Sequence, residues 1–372
     1  MRRRDFCTTW TAWTAGLLTV AVAGCRDEGT DGPGGDAGGL TTPRGSGTPT
    51  ATRSPSSGRP SPTSPDTAAP TTPTAAVSPT AATPSAPAVF DAGSARENVQ
   101  LLAGRIGPRE ATSAAFRRAA EVVADALGVA GYDVVRQPLR VPAGISWGIR
   151  VPSGRTHNVI AALPGFDPLR PHRVVGAHLD TVPQAPGAED NASGVAVMLE
   201  LARLAAVASG GTAAPPGRGG AAGDEPRVPA LPVLFVAFGA EEPRGPGDAW
   251  HHFGSRHYVR TLPLARRRAI REMVSLDRVG VGESVRIRTG GRAPYTVARA
   301  LVAASRRIGV PVTRGTNQSS DHWSFEKAGI AAARVGGNPF SGYHSAADRP
   351  SAVSRSSLDR SGRLVWEWLR SR

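Results

Sequence analysis

The amino-acid sequence predicts an α/β protein, a three-layer sandwich around a mixed, largely parallel central sheet, and three observations carry that reading. Runs such as "RVVGAHL" (173–179), "LPVLFVAF" (231–238) and "EMVSLDRV" (272–279) are apolar at consecutive rather than alternate positions. Strands of that kind are buried on both faces, which requires helices on both sides of the sheet. Segments with helical apolar spacing alternate with these runs, and each run stops abruptly in acids or an imidazole. Ligands in open α/β sheets gather at the carboxyl ends of strands, so the chemistry should be sought there.

Ahead of that domain the composition is different. The chain of 372 residues holds 44 Gly and 33 Pro, and the excess is concentrated near the N-terminus. Arg2, Arg3 and Arg4 precede an apolar stretch through Leu17, Leu18 and Val20 that ends in "VAGC". This reads as an export signal over residues 1–24, too short to span a bilayer. "VAGC" resembles a bacterial lipobox, with Cys25 the residue to be lipidated, and "RRDF" resembles a twin-arginine signal. The expected location is the outer face of the cell membrane, lipid-anchored, or the medium if the lipobox is not used. Residues 25–88 are rich in Ser, Thr, Pro and Ala and carry too few large apolar side chains to form a core, so they read as a disordered stalk. A second low-complexity piece, Ala208 to Pro229, reads as a surface insertion. The formal net charge of +14 rests on arginine, Lys327 being the only lysine, and no basic run is interleaved with aromatics. Nucleic acid is therefore not an expected partner.

The folded domain is expected over 89–372. Phe116, Ala120, Val123 and Leu127 recur at helical spacing and meet a stop signal at Gly128 and Gly131. "YDVVRQPLRV", "HNVIAAL" and "AAARVGG" complete the predicted strands, and further helices are predicted at Asn191–Ala206, Leu264–Arg271, Tyr295–Arg307 and Ser357–Leu369.

After "RVVGA" come His178 and Asp180; after "LPVLFVAFGA" come Glu241 and Glu242; Asp277 follows "MVSL"; His344 lies in "SGYHSAAD"; and Asp190 heads an apolar helix, where a carboxylate is favoured. So many acids at one sheet edge would repel and take up protons. A pair of divalent cations removes that difficulty, and imidazole with carboxylate suits zinc above manganese or cobalt. His178 and Asp180 share a strand face, so Asp180 is placed to accept the other ring N–H of His178. Glu241 and Glu242 point different ways: one can bind metal while the other takes a proton from water.

The motifs "HLD", "EDNASG", "GAEE", "GSRHYV", "SLDRVG", "SDHWSFEKAGI" and "YHSAAD" resemble those of peptidase family M28, a family of zinc aminopeptidases, and the resemblance extends over nearly all of 89–372. It implies two Zn2+ ions bridged by Asp190, one completed by His178 and Asp277, the other by Glu242 and His344, with Asp180 orienting His178 and Glu241 as general base. The implied activity is removal of N-terminal residues from peptides. Rivals on the same resemblance are a one-zinc glutaminyl cyclase, in which Asp321 would matter more, and a C-terminal exopeptidase. A catalytically dead binding domain is disfavoured, because no ligand is missing. Some family members carry a Tyr shortly before "SDH"; here Asn317 stands in "GTNQSSDH", and Tyr343 is the alternative donor. Asp321 and Tyr343 are thus pocket candidates, Trp323 and Phe340 weaker ones. His251 and His252 are expected as exposed loop residues, His157, His172 and His257 as surface residues, and His322 as shaping the pocket away from metal.

Overall fold

The computed structural model describes residues 89–211 and 228–372. The signal segment, Cys25, the stalk and most of the Ala208–Pro229 insertion lie outside the described residues. The described residues begin with α1 (Ala92–Val99), prolonged by a π-turn to Ile106, and α2 (Ala114–Val129). Strands β1 (Asp133–Val141), β2 (Gly144–Ser146), β3 (Ile149–Val151), β4 (Gly154–Ala162) and β5 (His172–His178) follow, then α3 (Ser193–Ala208) and β6 (Val233–Phe238). Next come α4 (Phe253–Thr261), α5 (Leu264–Ala269), β7 (Ile270–Leu276), β8 (Val285–Thr289) and α6 (Thr296–Ile308). The chain closes with β9 (Val312–Thr316), α7 (His322–Lys327), β10 (Ala331–Val335) and α8 (Arg355–Arg370).

Eight strands form one sheet in the order β1-β4-β6-β5-β7-β10-β8-β9. The central four, β6, β5, β7 and β10, are parallel to one another, whereas β4 and β8 join them antiparallel. Consecutive apolar residues divide between two cores. Val175 and Ala177 of β5 and Phe235 and Ala237 of β6 pack with α1, α2, α3, α6 and α8. Val174, Leu234, Val236 and Phe238 face Tyr258 and Val259 of α4 and Phe325 of α7. That two-sided burial is the physical reason these strands are apolar without alternation. Helix α3 lies at the centre of the first core. Residues Ala188–Ala208 are long and apolar enough to cross a membrane, yet 83% of that window is buried inside the protein, as a core helix requires.

The differences from expectation have simple causes. Helix α3 begins at Ser193 rather than Asn191, because the backbone at Asn191 is non-helical and its side-chain Oδ1 instead accepts from the Gly194 amide at 3.0 Å. The helix at Leu264 stops at Ala269, and β7 takes over from Ile270. Strands β8 and β9 carry Arg286, Arg288 and Arg314 and so lack the apolar run that would have announced them. His172 is buried, not superficial, with Nδ1 2.8 Å from the Arg170 carbonyl oxygen and its ring edge-on to Phe166. His157 is half-buried against Phe116.

Candidate metal centre

Parallel strands end together, and that alone gathers most of the site. His178 is the last residue of β5, Glu241 and Glu242 follow β6, and Asp277 follows β7. Asp190 and His344 are brought in by loops. Three groups of donor atoms lie within 4.8 Å of one another: His178–Asp190–Asp277, Asp190–Glu242–His344 and His178–Glu241–Glu242. The two carboxylate oxygens of Asp190 face different imidazoles, Oδ1 at 3.1 Å from His178 Nε2 and Oδ2 at 3.0 Å from His344 Nε2. Asp277 Oδ1 lies 3.9 Å from His178 Nε2, and Glu242 Oε2 lies 3.3 Å from His344 Nε2. Glu241 belongs to neither of the groups that share Asp190; its Oε2 is 3.9 Å from His178 Nε2.

Much of the machinery that fixes Asp190 comes from far along the chain. Both carboxylate oxygens of Asp348 accept backbone N–H groups, from Glu189 at 2.7 Å and Asp190 at 3.0 Å. The guanidinium of Arg109, fully buried, donates to the carbonyls of Leu179, Pro186 and Gly187. Asn191 Nδ2 donates to the Leu276 carbonyl at 2.8 Å, tying the Asp190 segment to the end of β7. Gly194 sits where a Cβ would meet Asn191 Oδ1 and the Leu276 carbonyl oxygen, each at 2.4 Å, so only glycine lets the helix start this close. Asp348 and Asn191 lie in stretches already notable in the sequence, "YHSAAD" and "EDNASG", and Arg109 in "LLAGRIGPRE" ahead of them, but no spacing rule says which carbonyl or amide they reach.

Asp180 is placed differently from expectation. His178 Nδ1 lies 3.1 Å from the Asp180 backbone oxygen and 3.8 Å from its carboxylate. The carboxylate is turned instead toward the end of β6, where it accepts the Glu241 and Glu242 amides at 3.0 and 3.2 Å. Asp180 therefore orients His178 through its main chain and the two glutamates through its side chain. His252 is a second correction. It is buried, with Nε2 3.2 Å from Glu241 Oε1, because the loop after Glu242 folds back and His252 N donates to the Glu241 carbonyl. His251 is half-buried. Asp321 is fully buried. His322 Nε2 is 2.8 Å from the Asn317 carbonyl oxygen, away from the ligand groups. Tyr343 stacks on the His344 ring at 3.6 Å, with Arg278 over its other face at 4.1 Å. Trp323 packs against Lys327 and Arg292.

Burial dominates the electrostatics of the cluster. It pushes the Glu241 and Glu242 carboxyls up to about 8, helped by neighbouring carboxylates. Burial works against charge on His344 too, but Glu242 and Asp190 overrule it and hold the imidazole up to about 10. Burial would raise Asp277, yet Arg334, whose Nη2 is 3.0 Å from Asp277 Oδ1, holds it down to about 2. Burial, with the charge of Glu241, pushes Asp321 up to about 7. Glu242 Oε1 is buried with no hydrogen-bond partner. These carboxylates and imidazoles can be neutralised by protons or by cations, and the N/O donor set with a shared carboxylate fits two neighbouring divalent ions.

Residues 158–369 match the profile of Peptidase family M28. The chain belongs to that family. An aminopeptidase of Bacillus subtilis, YwaD, is 32% identical over 206 residues, which is 51% of this chain but only 39% of that relative's length. Among solved structures, a zinc aminopeptidase from Bacillus subtilis superposes with a TM-score of 0.62 at 20% identity, covering 76% of this chain and 95% of the other. A glutaminyl cyclase from Fimbriiglobus ruber does so at 0.59 and 22% identity, over 76% and 95%. The fold is that of the zinc exopeptidases, with a mixed central sheet between helical layers.

Proposed function

We propose that this protein is a zinc-dependent aminopeptidase that releases N-terminal residues from peptides. The observation that carries the proposal is the division of Asp190 between two imidazoles: one oxygen for the His178–Asp277 side, the other for the Glu242–His344 side. His178, Asp190 and Asp277 would hold one ion, and Asp190, Glu242 and His344 the other. Two such ions supply Lewis acidity, lowering the pKa of a water and offsetting the charge that develops on the substrate carbonyl oxygen.

The chain's own groups do the rest. Glu241 is held by its amide to Asp180 and by its Oε1 near His252, with the second oxygen toward the ligand cluster. In that position it accepts the proton of the attacking water and returns it to the leaving amine. Arg334 keeps Asp277 ionised, and the stacked Tyr343 fixes the plane of His344.

A glutaminyl cyclase is the second reading. It is favoured by Asp321, buried within electrostatic reach of Glu241, and by cyclases among the structural neighbours. The deciding experiment counts metal per chain in purified protein and compares two assays with and without chelator: hydrolysis of aminoacyl-anilides, and ammonia release from a peptide with N-terminal glutamine. Two zinc ions with anilide hydrolysis are expected. One zinc with ammonia release would replace the aminopeptidase reading by the cyclase.

A further inference from the structure

We propose that the β2–β3 hairpin is a substrate-selecting arm, and that Trp147 at its tip is a specificity-determining residue that packs against a large apolar side chain flanking the scissile bond. The inference rests on the peptidase reading and names the substrate class it would favour.

Trp147 and Gly148 are the two central residues of the hairpin, between the paired Ser146 and Ile149, and both have positive φ, 46° and 83°. Two-residue turns of this kind are served at least strain by Asn, Asp or Gly. A bulky aromatic in the left-handed region is strained there, which points to a use for its side chain outside the turn. Its position says what. The Trp147 ring lies edge-on to His344 at 4.5 Å and to Tyr343 at 5.9 Å, so the indole stands beside a proposed metal ligand. Yet it is 55% exposed. Ile145 and Ile149 on the same hairpin are exposed as well, three of the twelve exposed large apolar side chains among the described residues. Tyr343, in contact with the Trp147 ring, is exposed too. Exposed aromatic surface beside a site, here Trp147 against Tyr343, marks a place for an apolar ligand group.

The arm is stapled to the catalytic strand end. Arg244, two residues beyond Glu242 and buried, donates to the carbonyls of Pro142 at 2.7 Å and of Pro152, the residues flanking the hairpin, and pairs with Glu110. Ile145 N donates to the Arg244 carbonyl at 3.0 Å. Gly144 passes so close that a Cβ would fall 1.8 Å from that oxygen. The indole is thus held at a fixed offset from Glu242 and His344. A rigid wall of that kind discriminates by side-chain size.

The test uses the zinc-loaded protein with Trp147→Ala and Trp147→Phe, assayed on Gly-, Ala-, Leu- and Phe-anilides and on Ala-X dipeptides, which separate the two sides of the scissile bond. In Trp147→Ala the ratio of kcat/KM for the large apolar residue over glycine should fall at least ~10-fold, through KM, with Trp147→Phe restoring most of it. Calorimetric binding of leucinamide against glycinamide should lose the same preference. An unchanged ratio would overturn the proposal, as would an equal loss of kcat on every substrate or release of zinc, which would make Trp147 only a prop for His344. If the wild type cleaves no anilide or dipeptide, the aminopeptidase reading fails, while the amide-binding comparison still reads the selectivity of the arm.

Discussion

Replacing Glu241 by glutamine tests the division of labour in the cluster more directly than any other change. Glutamine has the same length and keeps the backbone amide bond to Asp180 at 3.0 Å, so the side chain should remain between His178 and His252. Neither ligand group that shares Asp190 includes Glu241, so two equivalents of metal should be retained. Only the proton acceptor is lost. General-base catalysis contributes about 10² to 10⁴ in rate, which corresponds to about 2.7 to 5.4 kcal/mol of barrier. Initial rates on leucine 4-nitroanilide, with metal per chain from elemental mass spectrometry, would read both quantities. Turnover near that of wild type would remove Glu241 from the role of base. Loss of an ion together with activity would show that the grouping His178–Glu241–Glu242 is the one that binds metal.

Three further outcomes follow from the geometry and electrostatics of the cluster. Asp180→Asn leaves one oxygen to accept and sets an NH2 against the amide of Glu241 or Glu242; metal affinity should fall about 10- to 100-fold, as for other residues that orient ligands, measured by competition with a chromogenic chelator. Unchanged affinity would mean that Asp180 does not position the glutamates. In the metal-free domain Glu242 holds its proton to about 8 and His344 to about 10, so metal must displace protons. Affinity should therefore rise with pH through about 8 and on toward about 10, with proton release visible as a buffer-dependent binding enthalpy. The sign for stability is opposite: Glu241 and Glu242 shift from an ordinary 4.5 up to about 8, so the folded state binds protons the unfolded chain has released. The Tm of the metal-free domain should then fall as pH rises between those values. A flat Tm across that range would refute the burial of these carboxyls in the apo state.

The architecture was legible wherever packing is two-sided. "VLFVAF" is apolar at every position because Phe235 and Ala237 meet one core while Leu234, Val236 and Phe238 meet the other. Strands with one side chain in two charged, as in β8 with Arg286 and Arg288, left no such mark. Candidate site residues were legible for a related reason: parallel strands must end at one edge, so acids and imidazoles just past the ends of β5, β6 and β7 become neighbours whatever the loops do. His252 was not, since its depth depends on a loop that doubles back under Glu241.

The types and order of the polar groups were written in the chain, because hydrophobic periodicity and strand direction are local properties. Which atom each group faces was not, because that depends on how remote segments pack. The Asp180 carboxylate meets two glutamate amides rather than an imidazole only because β6 lies beside β5. The Asp190 carboxylate divides between two histidines only because Asp348, 158 residues away, and Arg109 hold its loop. Hydrogen bonds act over about 3 Å, and only tertiary packing brings groups so distant in sequence within that range.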